Sequence, residues 1–146
     1  MWSHEHSVDA DVTPAQVWAC YANTALWPAF DPGLERMTLA GPFAAGTRGR
    51  LVPREGDPRG RAPVPFLLVR AQPERGFTTE SEIPGAVTLR FVHRLAEVPG
   101  GTRITHGVEI AGPAADSLGP AIGPVLTAVI PGIVETLVRV AAAQAA

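Results

Sequence analysis

The chain contains no lysine. All twelve of its basic residues are arginine, which excludes Schiff-base chemistry on a lysine amine and any Walker-type phosphate loop. With Ala, Gly, Pro and Arg abundant, this absence reads as the composition of a GC-rich bacterial genome. Cysteine is scarce as well. The lone Cys20 allows no internal disulfide and no multi-cysteine zinc or iron–sulfur site, so a reducing cytoplasm is the expected compartment. No signal peptide opens the chain, and no apolar run reaches membrane-spanning length without a proline inside it. An excess of one charge is lacking too. The formal net charge is −2, which implies no polyanionic partner such as nucleic acid. At 146 residues there is material for one domain, residues 1–146, with a sizeable core.

The C-terminal third holds the only long helix. From Leu118 onward Ile122, Val125, Leu126, Val129, Ile133, Leu137 and Val140 recur at helical spacing. Ile130, Val134 and Val138 widen that stripe beyond the usual core-facing arc. Ala121, Ala128, Glu135 and Arg139 form the narrow remaining sector, with Glu135 and Arg139 spaced as a solvated pair. Pro131 removes an interior backbone bond and clashes with the carbonyl at Thr127, so a bend is expected there. Gly119, Pro120, Gly123 and Pro124 weaken the first turns and predict a late, irregular start. So apolar a helix must be wrapped, or held slightly off a sheet to leave a cavity beneath it.

What precedes it reads mostly as strand. Ser3 to Asp11 alternates, with Trp2, His4, His6, Val8 and Ala10 on one face. Thr13-Pro14-Ala15-Gln16 is a helix start with a capping box, and a short helix to about Ala22 buries Val17, Trp18 and Tyr21. Leu26 to Phe30 gives a second short helical stretch, ended by Asp31-Pro32-Gly33. Six strands follow between Gly or Pro turns: Leu34–Leu39, Thr47–Val52, Val64–Ala71, Phe77–Ile83, Ala86–Glu97 and Thr102–Ile110. Arg54 to Ala62, with two Gly, one Pro and five charged residues, reads as a mobile loop. The order predicts an α+β fold built on an antiparallel meander of seven strands, with two short helices between strands 1 and 2.

The stretch from Val8 to Asp31, VDADVTPAQVWACYANTALWPAFD, and the stretch from Leu89 to Pro113, LRFVHRLAEVPGGTRITHGVEIAGP, resemble the SRPBCC or START-like superfamily, in particular its polyketide cyclase/dehydrase group. The resemblance covers nearly the whole chain. It implies a helix-grip fold: a seven-stranded antiparallel sheet wrapped around the long C-terminal helix, with an apolar cavity between them. Members bind or transform lipids, polyketides, hormones and aromatic compounds, and some are co-chaperones, so the fold does not choose among functions. The missing lysine removes the lysine chemistry of plant alkaloid-forming relatives. There is no room for the cluster domain of Rieske-type oxygenases.

Strand parity supplies the candidate site. Val87, Leu89, Phe91, His93 and Leu95 share one face of their strand, and Ile104, His106, Val108 and Ile110 share one face of the next. The faces bearing arginine point outward. If Val98–Gly101 closes the hairpin, His93 and His106 are direct cross-strand neighbours facing the cavity, fit for a proton relay or for anchoring a ligand carbonyl. Phe77, Thr79, Ser81 and Ile83 form the inward face of the preceding strand and add hydroxyls. The expected lining also includes Leu89, Phe91, Val108, Leu126 and Ile130, with Trp27 and Phe30 as entrance residues implied by the resemblance. The 54–62 loop and the Phe43–Gly46 turn are possible lids. His6, His93 and His106 could approach a metal set, but no inward carboxylate or cysteine joins them, and neither a metal nor another cofactor is expected.

Three functions compete: an enzyme of the cyclase or dehydratase type using His93 and His106 as acid and base, a non-catalytic carrier or sensor of an apolar ligand, and a co-chaperone-like interaction module. The inward histidines beside hydroxyls favour the first, and charged outward faces without an aromatic patch disfavour the last. The expected partner is an apolar small molecule; a homodimer stays open.

Overall fold

A computed structural model describes residues 1–145. Strand β1 (Trp2–Ala10) is followed by α1 (Pro14–Ala22), a 3-10 turn (Thr24–Leu26), α2 (Trp27–Phe30), β2 (Leu34–Leu39), β3 (Arg48–Pro53), β4 (Val64–Gln72), β5 (Gly76–Ile83), β6 (Val87–Val98), β7 (Gly101–Ala111), α3 (Ala115–Thr127) and α4 (Ile130–Ala142). The strands form one antiparallel sheet in the order β1-β7-β6-β5-β4-β3-β2. It curls around the C-terminal helix pair in the helix-grip arrangement that the resemblance implies.

Local chemistry places the N-terminal helices. The Thr13 hydroxyl accepts from the Gln16 amide at 3.1 Å, and the Gln16 side chain accepts from the Thr13 amide at 2.9 Å, so the expected capping box is formed. Capping fixes the phase of α1 and turns Val17, Cys20 and Tyr21 inward. The Trp27 indole donates to the Tyr21 carbonyl at 2.9 Å and folds α2 back under the end of α1.

Turn chemistry sets the register of the last hairpin. Pro99 and Gly100 form a two-residue turn with Gly100 at φ 85, which a residue with a Cβ adopts poorly. Val98 therefore faces Gly101, and His93 faces His106. The outer face carries cross-strand ion pairs, Arg94 to Glu5, Arg103 to Asp9 and Arg90 to both Glu80 and Glu109.

The long helix departs from expectation in three ways. It starts at Ala115, earlier than Leu118, because Pro120 and Pro124 turn their rings to solvent and the turns survive. Gly119 and Gly123 are buried against the Trp2 side chain, and a Cβ on Gly123 would stand 2.5 Å from the indole Cη2. They let α3 lie directly on β1. Val125 is 46% exposed and lies off the seam, which instead runs through Gly119, Gly123, Thr127, Ile130, Val134, Leu137 and Ala141. Near Pro131 the helical hydrogen bonding is interrupted at Ala128–Val129, a break in the ladder only, since both residues keep right-handed helical dihedrals. Pro131 occupies the first turn of α4, where a missing amide costs nothing. By length and composition Ala115–Ala142 would suffice to cross a membrane; here it is the helix that the sheet grips. Another inward expectation also fails, since Ile83 at the end of β5 is 38% exposed.

Glycine-to-alanine changes within helices usually stabilise by about 1 kcal/mol. Gly123→Ala should reverse that sign, losing about 1–3 kcal/mol by overpacking against Trp2, as measured by urea denaturation, and Trp2→Leu in the same chain should recover part of it. Pro131→Ala should give residue 131 an amide within reach of the Thr127 carbonyl and reduce the break with little change in stability. Amide exchange across residues 127–133 measures this.

Candidate active site

One row crosses four strands. Phe77 on β5 faces His93 on β6, His93 faces His106 on β7, and His106 faces His6 on β1. The Phe77 and His93 rings stack at 4.0 Å with planes 8° apart, and the His93 and His106 rings meet edge to face at 4.5 Å. From above the sheet, Tyr21 at the end of α1 sets its hydroxyl 2.7 Å from His106 Nε2. Tyr21 also packs edge-on against Phe77, at 4.9 Å. The result is a buried Tyr21–His106 hydrogen bond with a second imidazole beside it.

These groups border a cavity of about 90 Å³ between the sheet and the helix break. Tyr21, Trp27, Phe30, Phe66, Phe77, Phe91 and Val108 form its apolar walls, Leu126, Val129, Ile130 and Ile133 its helical side, and His93, His106 and Thr79 its polar patch. His93 Nδ1 is sealed from solvent and, among the described residues, has no hydrogen-bond partner. Such an orphan inside a fold calls for an explanation, and a site for ligand or substrate is one.

Burial shifts every titration here. It lowers the His93 pKa to about 4. Burial, then the neighbouring charges of His93 and His106's other partner His6, hold His106 well below the ordinary imidazole value. Burial also drives the Tyr21 phenol well above its ordinary value. At pH 7 the site therefore holds two neutral imidazoles and an intact phenol, all able to donate or accept.

Of the residues singled out from sequence, Trp27, Phe30, Phe77, Thr79, Phe91, His93, His106, Val108, Leu126 and Ile130 lie on the cavity. Ser81 and Leu89 do not. The Ser81 hydroxyl is spent on the Pro65 carbonyl at 3.0 Å, and Leu89 packs against the core away from the lining. Neither His4 nor His6 lines the cavity, and the described residues contain no group of three metal-ligating side chains. Phe43 folds inward against Trp18 and Phe77 at 5.5 and 5.1 Å.

Two groups escaped the sequence reading. Tyr21 reads from sequence as a core residue without a chemical role, because so short a helix gives no sign of what a residue near its end meets. The 54–62 loop is tied down rather than free. Arg59 grips Asp31 through two nitrogens at 2.7 and 3.1 Å, and Asp57 receives Arg59 and Arg61, each at 3.0 Å. Gly33 makes room, since a Cβ there would lie 2.7 Å from Arg59 Nη2. Asp31, Arg59 and Arg61 all reach the cavity rim.

A family model described as polyketide cyclase / dehydrase and lipid transport matches residues 1–145. The chain belongs to this family. Similar solved structures share the polyketide cyclase/dehydrase chain's fold at low identity. Ara h 8.0201 aligns with TM-score 0.75 at 15% identity, covering 97% of this chain and 98% of that one. The di-domain ARO/CYC StfQ of the steffimycin biosynthetic pathway aligns with TM-score 0.76 at 12% identity, covering 96% of this chain and 50% of that one. Truncated norcoclaurine synthase from Thalictrum flavum aligns with TM-score 0.73 at 12% identity, covering 98% and 94%. No curated protein sequence matches.

The imidazole shifts make the stability of this family member pH-dependent with a defined sign. A histidine with a lowered folded pKa binds its proton in the unfolded chain first, so its contribution is complete above about pH 6.5 and declines as pH falls toward about 4. His93 alone accounts for up to roughly 3 kcal/mol across that window. Urea denaturation from pH 7.5 to 4 should show a steep loss of stability, and His93→Gln should flatten it. Identical slopes in both proteins would place His93 in solvent.

Proposed function

We propose that this chain binds an apolar small molecule of polyketide, lipid or aromatic type between sheet and helix, and that it promotes cyclisation or dehydration of that molecule by acid/base chemistry. The observation that carries the reading is the buried Tyr21–His106 pair beside an unpartnered, neutral His93 on a mainly apolar cavity. Family membership supports the ligand class. StfQ, whose name places it among aromatase/cyclases of a biosynthetic pathway, supports the reaction class by shape alone.

The roles follow from protonation states. A neutral imidazole accepts a proton at pH 7, so His93 is the candidate base for a methylene activated by flanking carbonyls. When His106 carries its proton on Nε2, the Tyr21 oxygen accepts that bond and its own O–H is free to donate to a carbonyl oxygen becoming an enolate or alkoxide. The carbanion attacks a second carbonyl of the same chain, and the alkoxide so formed takes the proton that His93 removed, which leaves His93, Tyr21 and His106 as they began. Loss of water from the aldol follows if His93 removes the second proton of that methylene and, as an imidazolium, gives it to the departing hydroxyl. The apolar wall holds the chain folded and keeps water from competing.

A carrier or sensor is the second reading, favoured by the predominance of apolar lining and the lack of a recognisable nucleophile. The interaction-module reading has less support, because the outward sheet face is laced with ion pairs. The free, buried Cys20 fits a reducing cytoplasm.

Native mass spectrometry of freshly purified protein should reveal a retained apolar molecule. With a β-ketone chain as substrate, Tyr21→Phe, His93→Gln and His106→Gln should each lower turnover by about 10²- to 10⁴-fold with modest effects on binding. In a pure carrier the same changes would weaken binding by about 1–3 kcal/mol and there would be no product to lose.

A further inference from the structure

Arg61 is a cation that the protein only half uses. Its side chain is 11% exposed, and Nε donates to Asp57 at 3.0 Å. Among the described residues Nη2 is buried without an acceptor. The neighbouring carboxylates, Asp31 and Asp57, make no hydrogen bond to it. Both Asp31 oxygens are taken by Arg59, and the two Asp57 oxygens are divided between Arg59 and Arg61. Arg59, by contrast, has Nε, Nη1 and Nη2 all engaged. Arg61 is among the residues that line the cavity bordered by Tyr21 and His93. Its charge is held there against burial and against Arg59, both of which lower its pKa. A buried, unpaired guanidinium end is costly unless something accepts from it.

We propose that Arg61 is an anion-recognition residue of this cavity, and that the natural ligand carries a carboxylate at the end of its apolar body nearest the 54–62 loop. The inference rests on the cavity being the ligand site. It adds the chemical class of the ligand and its orientation: acid group toward Arg61, body between sheet and helix, opposite end toward Tyr21 and His93. The planar fork of arginine suits a two-oxygen anion, which a lysine would hold only as a point charge. The four charges of Arg59, Arg61, Asp31 and Asp57 cancel, so the preference arises from short-range donors and not from a positive field. It should therefore depend only weakly on salt.

The test uses 2-naphthoate and its neutral planar isostere 2-naphthamide, titrated calorimetrically into the intact protein with amide spectra to locate both. Naphthoate should bind at least about tenfold more tightly, the size of one charge-assisted hydrogen bond. Arg61→Gln should abolish that preference while leaving naphthamide affinity within about twofold, and Arg61→Lys should restore it only in part. Thermal unfolding of each variant checks that the fold survives, and Glu135→Gln on the outer face of α4 serves as a charge-change control that should alter nothing. If the amide binds as well as the acid, or if Arg61→Gln leaves the preference intact, the anion site is refuted while the cavity reading stands. If neither probe binds and no spectrum shifts, the cavity reading fails and this proposal with it.

Discussion

Helix α3 lies on β1 only because two of its residues have no side chain. Gly119 and Gly123 accept the Trp2 indole against the bare helix backbone, and the rest of the architecture depends on that close approach. It seats the first half of the helix tightly on β1 and β7. Further on, Pro131 supplies no amide to the Thr127 carbonyl, and the helical hydrogen bonding is interrupted at Ala128–Val129. Beyond that point α4 packs on α1 and α2, where α3 packed on β1 and β7. Leu126, Val129, Ile130 and Ile133, from either side of the interruption, border the cavity. The cavity thus lies where the helix changes its packing partners.

Two kinds of polar group meet that cavity, and the same low dielectric treats them differently. At the sheet end, the site keeps its groups neutral: burial lowers both imidazoles and raises the phenol, so Tyr21, His93 and His106 remain exchangeable donors and acceptors at pH 7. At the loop end, charges persist because each has a counter-charge within 3.1 Å, with Asp57 only 2% exposed and shared between two arginines. There the paired arginines hold the Asp57 carboxyl below its usual range in spite of burial. Neutral chemistry at one end and fixed charge at the other give the cavity a polarity along its length.

What could be read from the sequence was whatever had a period or a stereotyped turn. The alternation of β6 and β7 and the Pro99-Gly100 turn together determine that His93 faces His106, the capping box at Thr13 and Gln16 marks the start of α1, and all three signals are local. Residues without a period stayed hidden. Tyr21 meets His106 across 85 positions of sequence, a contact that depends on how α1 lies on the sheet. Arg59 and Arg61 sit in a stretch rich in glycine and charge, which by composition reads as loop, and only the fold shows that Asp31 meets Arg59. Gly119 and Gly123 carry a signal of opposite meaning in the two settings: low helix propensity along the chain, close packing in space. Propensity is a weak guide where tertiary contact decides.

The size of the cavity constrains how anything enters it. At about 90 Å³ it is smaller than the roughly 150 Å³ space that admits benzene in a well-studied engineered core. A ligand with more than one ring must displace part of the wall. The strands β5, β6 and β7 are locked in continuous ladders along their length, and α3 is seated on Trp2. The pliant parts of the wall are the loop bearing Arg59 and Arg61, which belongs to no ladder, and the one-turn helix α2. Both are tied at Asp31, which ends α2 and holds Arg59. Enlarging the cavity on that side strains the Asp31–Arg59 pair, and a half-buried pair resists separation because each charge would be left without its partner. On the proposal made for Arg61, an incoming carboxylate would offset that cost at the guanidinium, whereas an incoming hydrocarbon would not, so that admission to the cavity and recognition at its rim would rest on the same four side chains.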